Sequence, residues 1–357
     1  MRAPVRSRHN PGGDFMKIHS RTITGLSVVL LFLGSSTGSA AQSSQQKRIL
    51  AVSPNQAAVQ FYDMATGNLL KELPTLPLPH EVVIDRQRGL AYVSITYRAG
   101  GYNNYETPSS EIQIVDLDKM EIIDTVDVSP HWAPHGMALD PRSGLLYVTC
   151  ESNGGELIAV DMKQKTVVGS AKVDAHGPHW VAILPSGDKA YTANKEVPHI
   201  SVIDLKEMKM VKKIPAPTGT EGIIATQDGK YVFAGVQKGN NLLVIDPARD
   251  EVVKLISFDQ PPYSFALSPN GGKLYVTLFN RDETRDGSVQ EVDLTTLQPG
   301  AKVAVGRFPI GMVITADGRT GIVSSLHGDS LSILDLSEMK VARTIKTGNR
   351  SHGVIVF

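Results

Sequence analysis

The sequence predicts an all-β fold, a seven-bladed β-propeller with four antiparallel strands per blade, and three observations point to it. An aspartate-centred segment recurs seven times, as "FYDMATG", "IVDLDKM", "AVDMKQK", "VIDLKEM", "VIDPARD", "EVDLTTL" and "ILDLSEM", with Asp63, Asp116, Asp161, Asp204, Asp246, Asp293 and Asp335 in register. The steps of 53, 45, 43, 42, 47 and 42 residues define a unit of about 42 with two loop insertions, the period of a propeller blade. Within a unit, β-branched runs alternate with turn residues, as in "HGMALDP", "SGLLYVTC", "GELIAVD" and "KTVVGSAKV", which spells four short strands. Seven such sheets in a ring leave only short, protected edges.

Residues 1–41 read as a leader and secretory signal peptide. Met16 to Arg21 is basic, residues 23–34 are apolar but short for a bilayer span, and small residues run on to Ala41. Met16 offers an alternative start. Residues 42–47 form a linker and 48–357 the propeller, so the mature protein is expected to be periplasmic or secreted, with no membrane anchor after cleavage. The lone Cys150 rules out an internal disulfide; it reads as a buried packing residue, with a soft metal ligand as the alternative. Charge is balanced at 36 basic and 36 acidic residues, so there is no strong nucleic-acid signal and no field to hold an anionic membrane. Phosphate-binding glycine loops, a nucleophile elbow and a haem-attachment motif are all missing from the sequence.

Each repeated aspartate should end the third strand of its blade, where a carboxylate can accept backbone amides of the next turn. The closing "SHGVIVF" matches only a first strand, while residues 48–74 supply the other three. The C-terminal strand is therefore expected to complete the N-terminal blade.

The elements "LYVTC" (146–150), "LYVTL" (274–278), "AYTAN" (190–194) and "AYVSI" (91–95) resemble the Tyr-Val-Thr-Asn signature of the YVTN-family propeller repeat proteins, a group that includes YncE-like exported proteins. The resemblance covers the mature chain and implies the fold. It leaves function open, because such scaffolds host unrelated activities. The fourth position departs from the signature, being Asn only at Asn194.

Counting back 12 residues from Tyr92, Tyr147, Tyr191, Phe233, Tyr275 and Ile322 gives His80, His135, His179, Glu221, Tyr263 and Ile310, and a further step of 42 reaches His352. These positions open the first strand of each blade, which lines the central channel. Four histidines and Glu221 from five consecutive blades should then converge on one side of the channel mouth. Imidazole is the commonest metal ligand and suits Fe, Cu or Zn, so His80, His135, His179 and His352 are the candidate ligands. Glu221 is a candidate fifth ligand or general base, and Tyr263 a candidate catalytic partner. His131, His176 and His327 fall in loops of the same face. Tyr97, Arg98 and Tyr102, from the long loop "TYRAGGYNNYETPSSE", could wall a bound ligand. A repeated structural histidine that bonds a neighbouring blade is the competing reading, although duplication would then place histidine in all seven blades. The geometry is similar to the four-histidine axial site of the carotenoid-cleaving dioxygenases, whose sequence signatures are not found here.

The expectation is an exported propeller that binds a transition metal, as an oxidoreductase- or lyase-type enzyme if it is catalytic. Its alternatives are a non-enzymatic module for a small-molecule or protein ligand at the axial face, and the propeller subunit of a periplasmic redox complex with a redox partner.

Overall fold

The computed structural model describes residues 47–99, 107–152, 154–236, 238–348 and 350–357; the leader, nearly all of the linker and Tyr102 lie outside them. Within the unit Gln45–Phe357, the strands form seven four-stranded antiparallel sheets. We number the blades 1 to 7 from the N-terminus and letter their strands A to D from the axis outward. Strand A is Pro79–Asp85, Pro134–Leu139, Pro178–Ile183, Thr220–Ala225, Pro262–Leu267 and Pro309–Ile314 in blades 2 to 7. In blade 1 it is Val354–Val356, from the far end of the chain. Among the described residues no helix is long and apolar enough to cross a membrane.

The blade 1 clasp is as expected: Ile49, Leu50 and Ala51 pair with Val356, Ile355 and Val354. Backbone hydrogen bonds between Arg48 and Phe357, at 2.9 and 3.0 Å, extend it. The seven aspartates also take their expected role. Asp116 accepts the amides of Asp118 and Lys119 at 3.1 and 2.9 Å, and Asp335 those of Ser337 and Glu338 at 2.9 and 3.2 Å. These bonds tie down a turn that ends on a left-handed residue, such as Met120 at φ 53° or Met339 at φ 48°. A non-glycine residue there costs roughly 1–2 kcal/mol, which the charge-assisted bonds offset.

Apolar side chains fill the spaces between blades. Cys150 sits among them with Ile112, Val128, Leu146 and Ile158, and burial pushes its thiol well above the usual range. Its side chain packs the core, as expected.

The 12-residue offset holds in three dimensions. Val83, Ala138, Ala182, Ile224, Ala266 and Val313, each three residues after an axial position, face Tyr92, Tyr147, Tyr191, Phe233, Tyr275 and Ile322. Every one of these strand A–strand B pairs also slips by one residue just after its opening residue: Pro79 faces Ile95, but the next partners are Val82 and Val93. Such a β-bulge re-aims side chains and frees an amide. The hydroxyl of the Tyr-Val-Thr element accepts that amide: Glu81 N–H donates to Ser94 at 3.1 Å, Gly136 to Thr149 at 2.9 Å and Ser264 to Thr277 at 2.8 Å.

Candidate functional site

Because the bulge falls at the axial position in blades 2 to 7, it builds tiers around the channel. The middle tier is the predicted series, and its members are buried: His80 is 2 % exposed, His135, His179 and His352 1 %, and Glu221 4 %. The four imidazoles form a continuous arc, with ring centroids 4.8 Å apart from His352 to His80, 4.6 Å from His80 to His135 and 4.2 Å from His135 to His179. Glu221 continues it, 3.2 Å from His179 Nδ1. Tyr263 follows, edge-on to His179 at 6.4 Å.

The tier below holds the residue after each axial position. In blade 3 this is Gly136, where a Cβ would stand 2.2 Å from the carbonyl oxygen of His179, so only glycine fits. In blades 2 and 4 it is Glu81 and Trp180. Glu81 lies 3.2 Å from His352 Nδ1 and accepts the Trp180 indole N–H at 3.1 Å. These two residues border an axial cavity of about 270 Å³ whose lining also includes Met137, Phe265 and Met312.

The tier above is set by the residue after strand B. It is Glu151 in blade 3, Lys195 in blade 4 and Phe279 in blade 6. Ligand atoms of His135, Glu151 and His179 all lie within 4.8 Å of one another, so these three could hold a metal ion. Each also has an outer partner. His135 Nδ1 lies 3.2 Å from the His179 carbonyl oxygen, His179 Nδ1 faces Glu221, and Glu151 accepts the Tyr97 hydroxyl. His135 Nδ1 also lies 4.0 Å from a Glu151 carboxylate oxygen, so the same edge of that ring faces both the carbonyl and the carboxylate.

Burial, then the neighbouring imidazoles of His135 and His352, holds His80 well below the ordinary histidine value. The same holds for His179, through burial, then His135 and Lys195. His135 is lowered by burial against the opposing pull of Glu151 and Glu81. Burial alone would raise Glu81, yet the charge and hydrogen bond of His352 outweigh it and hold the carboxyl below its usual value. His80, His135 and His179 are therefore held toward the neutral form, the one that binds metal.

The remaining predicted residues divide. Tyr97 reaches the site through Glu151. Arg98 is exposed, pairs with Glu111 and borders, with Trp132 and Asp127, a surface cavity of about 760 Å³ that includes none of the axial residues. His131 is held by Glu156 at 2.6 Å, which also pairs with Lys172 at 2.8 Å. His176 is exposed. His327 packs on Phe308 at 5.0 Å and lies 3.4 Å from Glu283. Glu81, Glu151 and Trp180 were not anticipated, although each directly follows an axial position or the end of a Tyr-Val-Thr strand.

A family model described as a domain of unknown function (DUF5074) matches residues 143–307. The chain is 24 % identical over 222 residues to the uncharacterized protein YncE of Salmonella typhi and 25 % over 223 residues to that of Salmonella typhimurium, covering 60 % of this chain and 58 % of each relative. It is 22 % identical over 233 residues to Antigen Lp49 of Leptospira interrogans, covering 60 % of this chain and 50 % of that one. The chain thus spans little more than half the length of these curated relatives. Among solved structures, a functionally unknown protein from Desulfotomaculum acetoxidans superposes with a TM-score of 0.72 at 10 % identity, covering 87 % of this chain and 98 % of that one. Kuenenia stuttgartiensis hydrazine synthase gives 0.66 at 18 %, covering 78 % and 89 %. The domain match, the relatives and the seven blades fit a YncE-like propeller protein.

Proposed function

With a YncE-like propeller as the premise, we propose that this is an exported protein whose axial site binds a first-row transition metal through His135, His179 and Glu151. The observation that carries the reading is that all three donors are gathered within 4.8 Å. Two imidazoles and one carboxylate form the donor set of non-haem iron(II) and of catalytic zinc, and they leave positions open. Bound there, the metal would supply Lewis acidity toward an oxygen donor. His80 and His352 extend the arc as neighbours that bind or orient an incoming molecule. Glu221 stands 3.2 Å from His179 Nδ1, placed to orient that imidazole or to serve as the fifth ligand or general base expected of it.

Untagged protein purified from the periplasmic fraction is expected to carry about one equivalent of metal. The intact mass of the same sample should place the mature N-terminus near Gln42. A His135→Ala/Glu151→Ala variant should lose the metal. Near-zero metal in both proteins, or equal content in both, would overturn the assignment. The occurrence of the same fold in a hydrazine synthase chain prompts a second reading, a propeller subunit of an exported redox complex; a coloured protein that co-purifies would favour it.

A further inference from the structure

The arc opposite the histidines has its own chemistry. Tyr263, on the axis in blade 6, meets Phe279 at 6.1 Å and Phe308 at 5.8 Å, and these two lie 4.9 Å apart. His327 closes the group against Phe308. Phe279 and Phe308 are partly exposed and belong to none of the apolar clusters between blades, such as those that flank blade 6. Phe279 also stands in blade 6 where Glu151 stands in blade 3, so aromatic faces and metal donors share one level of one mouth. Tyr263 links them, touching His179 edge-on on one side and both phenylalanines on the other. Lys195 is close enough for its charge to bear on His80 and His179, while the flank at His327 is mixed, with Glu283 and Asp329 opposing Arg350 and Arg307. The carboxylates of Glu81 and Glu221 face imidazoles. The mouth thus combines a three-donor metal site, with Lys195 beside it, and a wall of ring faces.

Resting on the metal reading above, we propose that the mouth binds a planar aromatic molecule carrying adjacent oxygen donors, of the catechol class. Its oxygens would take open positions at a metal held by His135, His179 and Glu151, and its ring would pack on Phe279 and Phe308. A three-ligand site leaves room for a bidentate oxygen donor. Aromatic contacts of about 0.5–1.5 kcal/mol each make two such faces worth roughly tenfold in affinity.

The test uses the full mature chain loaded with zinc, which is redox-inert and therefore isolates binding. Zinc content is measured first, and an absorbance titration with 4-nitrocatechol follows. One equivalent is expected to bind. Phe279→Ala/Phe308→Ala should weaken it about tenfold at unchanged zinc content and unchanged melting temperature. Phe279→Leu/Phe308→Leu, which keeps apolar volume, should fall between the two. Glycolate, which offers oxygens without a ring, should bind at least tenfold more weakly than nitrocatechol. Equal nitrocatechol affinity in all three proteins, or glycolate binding as tightly, would overturn the aromatic assignment while the metal reading stands. Wild-type protein that takes up no zinc would overturn both, and the zinc assay reports that before any catechol is added.

Discussion

A buried imidazole is a liability in acid, and the axial arc concentrates several of them. His80 and His179 titrate well below the ordinary histidine value in the folded protein, with burial the leading cause; unfolded, they titrate near 6.5. Between those two values the unfolded chain binds protons that the native state does not, so stability is fully present above about pH 6.5 and falls as pH drops toward the folded values. The slope is about 1.4 kcal/mol per pH unit for each such imidazole. Melting of the metal-free protein should therefore be steady from pH 8 to 7 and fall by about 5 °C or more between pH 6.5 and 5. A flat profile across that window would show that His80 and His179 are not held neutral. Glu81, held below its usual value, adds stability that is lost only as pH falls further, through the carboxylate range. The histidines were legible because one residue per blade at a constant offset shows in a string of letters. Glu151 was not, because it follows a different strand, and only the fold carries it to within 4.8 Å of both imidazoles.

The first strand of the blade explains both what the sequence revealed and what it hid. Alternation along a strand would send His80 and Glu81 to opposite faces, so pattern reading credits only one of them to the axis. The bulge places both at the channel, and likewise His179 and Trp180. Its cost is a displaced amide, and the threonine of the Tyr-Val-Thr motif meets it. Thr149 does so twice over, accepting Gly136 N–H at 2.9 Å and donating to the His179 carbonyl at 2.8 Å. The motif that identified the fold is thus also a support of the site. Thr149→Val, which keeps the shape and removes the hydroxyl, should cost about 1–3 kcal/mol in chemical denaturation and weaken metal binding, whereas Thr149→Ser should restore both. A valine variant that binds metal as wild type would show that the hydroxyl only stabilises the sheet.

At the scale of the whole molecule, the ring is closed by a strand from the opposite end of the chain, as the unmatched ends of the sequence implied. Removing residues 351–357 strips the inner neighbour from Arg48–Ser53 and takes three buried apolar side chains, Val354, Ile355 and Val356, out of the core. At about 1.5–3 kcal/mol for each, the loss is on the order of 5 kcal/mol and should bring a large fall in melting temperature. His352→Asn, which leaves the clasp intact and loses the ionic contact with Glu81, should melt well above the truncation; a truncation that melted like it would deny the clasp its role. The loop around Tyr97 and Arg98 was legible only as a long insertion, since no repeat partner shows where its side chains turn. The bulge recurs in six of the seven blades, and it makes the axial positions interchangeable sockets on a common mount. Exchange of a single side chain at Tyr263 or Ile310 alters what faces the centre while the backbone that presents it stays as it is. A lineage built on this ring can therefore change its chemistry one socket at a time, and point mutation alone, without insertion or rearrangement, is enough to carry it from one ligand to another.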